Sequence, residues 1–142
     1  MTSALKSGTT IQEIEENFAM LDEWDDRYGY LIELGRDLEP LPETARDDRH
    51  KVNGCVSQVW LDHERDGERI AFRGDSDAHI VRGLVAVALA LYGDRPASDI
   101  IDTEAEPTFQ RIGLAEHLTP QRANGLRAMV ARIKQIAAAE SA

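Results

Sequence analysis

The chain has 142 residues, 26 of them acidic and 16 basic, for a formal charge of −10. That balance argues against the extended lysine- and arginine-lined surface by which proteins follow a nucleic-acid backbone. Hydrophobic residues make up 42% and charged residues 30%, which is too apolar for a disordered chain and ordinary for one domain that buries roughly two-thirds of its unfolded surface.

Acidity is heaviest at the start, where the first 50 residues hold 13 of the acidic side chains. It reads as a solvated face, or as one that steers a basic protein partner. The opening MTSALKSGTT lacks the apolar core of a signal peptide. Residues 1–9 are expected to be a flexible lead into a single domain spanning 1–142.

Thr10 and Glu13 in TIQE make a capping box, and Ile11, Ile14, Phe18 and Leu21 follow at helical spacing. Asp22 and Asp25 can start a second helix, whose stripe of Trp24, Tyr28, Leu31 and Ile32 is expected to stop at Gly35. DLEPLPETARDDRH, with two prolines and many charges, reads as a surface connection without regular structure. From Val56 to Leu61 the chain is rich in β-branched and aromatic residues. Asp66-Gly67 is a hairpin signal, and Ile70 and Phe72 alternate with polar neighbours on the return strand.

Asp75, Ser76 and Asp77 then compete as N-caps of a nearly all-apolar helix that ends with Gly93 as its C′ candidate. Its apolar run, GLVAVALALYG, is too short to span a membrane. Short helical turns are expected around Ser98–Ile101 and Pro107–Ile112. The last helix begins with Thr119 as N-cap and Pro120 at its first position, and buries Leu126, Met129, Val130, Ile133 and Ile136.

Cys55 is the one cysteine of the chain. It has no partner for an internal disulfide, which suits a reducing cytoplasm. A free cysteine is often a small buried hydrophobe. Gly54 before it, however, permits a positive φ and places the thiol on a turn where a loop meets a strand. His50, His63, His79 and His117 do not fall at zinc-ligand spacing. A cysteine hydrolase would want a histidine base and often a helix N-terminus, whereas this cysteine precedes a strand. A thiol oxidoreductase usually carries a resolving cysteine. Without one, a persulfide on Cys55 cannot be released internally and must wait for an external acceptor.

YLIELGRDLEPL, VNGCVSQVW, GDSDAHIVRGL and HLTPQRANGLRAM, in that order, together resemble the SufE family, the sulfur-acceptor partners of cysteine desulfurases in iron–sulfur cluster assembly. The resemblance runs from about Ile11 to Ala138. It implies an α+β fold with a small three-stranded antiparallel sheet flanked by helices. It also implies that Cys55 accepts sulfur from the persulfide of a desulfurase of the SufS or CsdA kind, stimulates that enzyme and delivers sulfur to an iron–sulfur scaffold. The chain itself then binds no cofactor, since pyridoxal phosphate belongs to the desulfurase, and neither nucleic acid nor membrane is a partner.

Carried over by position, the motif places Cys55 as the reacting residue within Gly54, Ser57, Gln58, Val59 and Trp60, with Asp75, Asp77 and Arg122 as candidate partner-binding residues. Val56 stands where the family usually has glutamine. Ser57, Gln58 and Trp60 also fit local hairpin bonding, and Asp75 and Asp77 fit capping. Arg122 puts a positive charge in the first turn of a helix, where the dipole disfavours it. Because exposed persulfides are stripped by thiol exchange, Cys55 is expected to be buried in the free protein with the Asp75–Asp77 segment beside it. Two other readings stay open: an adaptor that activates a desulfurase by binding alone, and a one-cysteine peroxide sensor.

Overall fold

The computed structural model describes residues 4–54 and 57–141. Helix α1 (Ile11–Ala19) starts at the expected capping box: Thr10 accepts from Glu13 N, and the Glu13 carboxylate accepts from Thr10 N, at 3.2 Å each. Helix α2 (Trp24–Arg36) follows, capped at Glu23 instead of Asp22. Strands β1 (Val59–Asp66) and β2 (Arg69–Ser76) pair antiparallel through a two-residue turn at Gly67 and Glu68. Gly67 takes φ +63° and Glu68 is not in the positive region, as a type II′ turn demands. Helix α3 (His79–Tyr92) comes next, then the two-residue strand β3 (Arg95–Pro96) on the far edge of β2. The sheet order is β1-β2-β3, all antiparallel.

Three short helices, α4 (Ala97–Asp102), α5 (Glu106–Arg111) and α6 (Leu114–His117), lead to the long α7 (Pro120–Ser141). The turns expected at Ser98–Ile101 and Pro107–Ile112 are α4 and α5, whereas α6 carried no sequence signal. Thr119 Oγ1 accepts from Arg122 N at 3.3 Å at the start of α7, the capping role read from the sequence. Leu126, Met129, Ile133 and Ile136 are buried and Val130 is partly so.

Helix α3 is the centre of the molecule, with β2, α2 and α7 packed around it. Nearly every residue from Val81 to Tyr92 is buried. That burial explains why the helix reads as apolar on all sides. Helix α2 does not stop at Gly35. It runs to Arg36 because Gly35 is a contact residue: a Cβ there would stand 2.8 Å from Arg82 Cβ and 2.9 Å from Gly83 N. Gly83 in turn leaves no room for a side chain against the Leu31 carbonyl. The two glycines let the α2 and α3 backbones touch.

Four further expectations are corrected. From residue 4 the N-terminus is not a loose lead: Ala4 and Leu5 are buried, and Glu39 N donates to Ala4 O and Lys6 N to Asp37 O. The 37–50 connection contains a 3-10 turn, Glu43–Ala45, and buries Leu38, Leu41 and Ala45. Asp75 and Ser76 belong to β2, and α3 is capped at Ala78 with no side-chain cap bond. Gly93 has φ −71°, and the left-handed residue is Asp94 at φ +58°. Asp94 N donates to Ile70 O at 2.8 Å, so the ladder sets that turn.

At the end of α3, Tyr92 is fully buried and its hydroxyl donates to Thr103 O at 2.8 Å. Burial, helped by the Glu104 charge, pushes its pKa up to about 12 from 10.0. A folded value above the unfolded one means that this stability is complete below about pH 10 and is lost as pH rises through about 12. Urea titrations across that window should show a fall of about 2 kcal/mol, and Tyr92→Phe should flatten it. Burial also raises Tyr30, so a fall of equal size in Tyr92→Phe would assign the effect elsewhere.

Candidate functional site

Cys55 and Val56, the reacting residue and the family substitution, lie outside the described residues, so the expected burial of the thiol does too. The residues on either side place the loop. On the approach, Val52 N donates to Val59 O at 2.8 Å and Leu61 N to His50 O at 2.9 Å, which lays residues 50–52 along the free edge of β1. Arg132 of α7 donates to Arg49 O at 2.8 Å. His50 sits between two carboxylates, with Nδ1 2.6 Å from Asp47 and Nε2 3.5 Å from Asp62. Its hydrogen bond holds the Asp47 carboxyl below the usual value.

Gly54 has φ +93°, the left-handed freedom expected of it, and it faces α7. A Cβ at Gly54 would stand 3.3 Å from Ala128 Cβ. Gly54→Ala should therefore lower stability by about 1–2 kcal/mol through backbone strain, measured as a shifted urea midpoint at constant slope. An unchanged midpoint would show that the loop relaxes into a negative-φ form.

On the exit side, β1 begins at Val59 because the regular ladder ends there. Asp77 N donates to Gln58 O at 3.3 Å, while Gln58 N donates to the Asp77 carboxylate at 3.1 Å in place of a main-chain acceptor. Asp77 thus ties down the loop's exit and does not cap α3. Asp75 does something different again. Its side chain is 13% exposed, accepts from the Arg46 guanidinium and lies 2.8 Å from Arg82 Nε. Arg46 also lies over the Trp60 ring, 5.5 Å from its centroid. The connection before the thiol, the second strand and the central helix therefore meet on one carboxylate.

A cavity of about 310 Å³ opens beside the loop, between α3 and α7. Val81, Leu84, Gly125 and Met129 form its apolar lining, and Ser57, Thr119, Gln121 and Arg122 supply its polar groups. Ser57 and Arg122 thus share one cavity, whereas Gln58 and Asp77 meet at the ladder end and Asp75 in the ion cluster. Sequence reasoning missed Arg46 and Arg82. The signal for Arg82 was present: beyond His79, it is the one charged side chain in the apolar run HIVRGLVAVALALY. The sequence marks Thr119 as a cap and Met129 as core, gives no signal for Gln121, and nothing in their spacing announces a cavity.

Among the described residues no helix is long and apolar enough to cross a membrane. A solved structure described as a hypothetical protein from Thermus thermophilus superposes with a TM-score of 0.71, covering 89% of this chain and 92% of that one. At 19% identity the likeness establishes the shared α+β fold. An uncharacterised SufE-like protein of Rhizobium meliloti (strain 1021) is 52% identical over 130 residues, which is 89% of this chain and 93% of that protein. A second, from Rhizobium etli, is 49% identical over 137 residues, covering 94% and 93%. The sequence model of the SufE Fe–S metabolism associated domain matches residues 12–137, and with relatives this close over nearly its whole length, the chain belongs to the SufE family.

Proposed function

We propose that this protein is a sulfur carrier. The Cys55 thiolate attacks the terminal sulfur of a cysteine desulfurase persulfide, the desulfurase thiolate leaves, and the sulfur then passes on for iron–sulfur cluster assembly. The observation that supports this most directly is a lone cysteine, the only one in 142 residues, within the GCVSQVW motif of a family tied to Fe–S metabolism. No resolving thiol is available to discharge a persulfide as a disulfide. The described residues on either side of Cys55 are held in place: the approach is fixed to β1 and α7, the exit to Asp77, and Gly54 takes φ +93°.

The partner is a desulfurase, which brings the pyridoxal phosphate, and the setting is the cytoplasm. Mass spectrometry after incubation with a desulfurase and cysteine tests the reading. A gain of whole sulfur atoms on the peptide containing Cys55 is the expected result. Stimulated desulfurase turnover with no sulfur on Cys55 would overturn carriage in favour of an adaptor that works by binding alone.

A further inference from the structure

The end of the sheet away from the Cys55 loop carries a cleft of about 570 Å³, well within the range of small-molecule sites, roughly 300–1,000 Å³. It lies between the start of α1, the end of α3, β3 and the start of α4, and includes Arg69 of β2. Arg69 and Ser76 are the two ends of β2, an eight-residue strand, which puts about 23 Å between them. Ser76 pairs with Val59 beside the loop, and no described residue lining the cleft belongs to the 50–58 segment. Ile11 and Leu89, 5% and 1% exposed, form an apolar floor. Four charged side chains complete the lining: Arg69, Asp94, Arg95 and Asp99.

Two cations and two anions at one cleft would be expected to pair with each other, yet none of the four makes an ion pair with any described residue. Arg69 Nη1 donates to the Asp94 carbonyl at 2.8 Å, which leaves its remaining N–H groups open. Asp94 Oδ1 is buried and meets no donor among the described residues, a costly state for a carboxylate. The lining is therefore neutral in sum, with charges of both signs unmatched over an apolar floor. A plain anion would suit the arginines and be repelled by the aspartates, and a plain cation the reverse. A zwitterion with an apolar body suits both. The volume equals that of roughly 19 liquid waters at about 30 Å³ each, about twice what the nine non-hydrogen atoms of leucine would fill. We propose that the cleft binds a short apolar peptide with both ends free. Its carboxylate is held by Arg95 and Arg69, and its ammonium by Asp94 and Asp99. The site stands apart from the sulfur chemistry and does not rest on the carrier reading.

The full-length protein is titrated with L-alanyl-L-leucine and followed through the amide resonances of residues 8–12 and 93–95. The shifts should saturate with a Kd at or below about 1 mM. Acetylating the peptide's amine, and separately amidating its carboxylate, should each weaken binding about tenfold. Free L-leucine should bind at least about tenfold more weakly than the dipeptide. Absence of saturable shifts up to about 10 mM would overturn the site. An acetylated peptide that binds as tightly as the parent would make the cleft an anion site and overturn the zwitterion. L-leucine binding as tightly as the dipeptide would overturn the peptide size.

Two variants tie each end of the peptide to its partner. Arg95→Ala should weaken the free dipeptide about tenfold and leave affinity for the amidated form unchanged, because that form has no carboxylate to lose. Asp94→Asn keeps a residue type that tolerates the left-handed backbone at φ +58°. It should weaken the free dipeptide and its amide alike and leave the acetylated form unchanged. Equal losses for all three peptides in both variants would overturn the assignment of the ends.

Discussion

Cys55→Ser is expected to fold as the native chain does and to accept no sulfur. Serine matches cysteine closely in size and removes no described contact, and the loop's ties run through its neighbours: Val52 to Val59, Gly54 against Ala128, and Gln58 to Asp77. The hydroxyl, by contrast, is not ionised near neutral pH and forms no stable bond to sulfane sulfur, whereas a thiol with a pKa near 8.5 supplies the attacking thiolate. Cysteine-dependent alanine production by the desulfurase should lose its stimulation in the variant, while the thermal melt stays within about 1 °C. Stimulation at the native level would remove the carrier mechanism. A collapsed melt would instead make the cysteine structural.

Asp75→Ala is expected to cost the most stability of the charged positions. The substitution leaves Arg82, 30% exposed, without its carboxylate and leaves Arg46, 27% exposed, with only the solvent-exposed Glu43 at 3.4 Å. Removing one partner of a buried ion cluster costs about 3–5 kcal/mol. Partial exposure of both arginines lets water take up some of the charge, which places the expectation at about 3 kcal/mol, or a melting temperature about 10 °C lower. Asp75→Asn keeps the size and loses the charge, and should recover little. Adding Arg46→Met to Asp75→Ala should recover part of the loss, because one stranded charge goes with it. A loss under about 1 kcal/mol in the single variant would mean that solvent, and not Asp75, satisfies the arginines.

Much of this fold was legible in the sequence wherever a pattern was local. The capping box at Thr10 and Glu13, the Gly67 turn, the Thr119-Pro120 start and the buried stripe of α7 all rest on residues within a few positions of one another. What stayed hidden depends on contacts between distant segments. Gly35 reads as a stop because glycine ends helices, yet here it permits the approach of Gly83, 48 positions on. Asp75 and Asp77 read as caps because they precede a helix. The hairpin continues through Ser76 and claims them, one for two arginines and one for Gln58. The motif around Cys55 marked the loop, but the cavity beside it is made by α3 and α7, whose start residues lie about 40 positions apart, and no spacing within either helix records their meeting.

Helix α7 bears a mechanical reading. Its 22 residues make a straight rod of about 33 Å, and it grips the rest of the protein at points along that length. Arg122 stands at the cavity, Ala128 backs Gly54, Arg132 holds the Arg49 carbonyl, and Glu140 reaches His63 and Arg65 near the hairpin's far end. A stiff rod fastened at both ends of a two-stranded ribbon acts as a splint. The hairpin is thereby braced along its length, from the residues packed beside Gly54 to the pair His63 and Arg65.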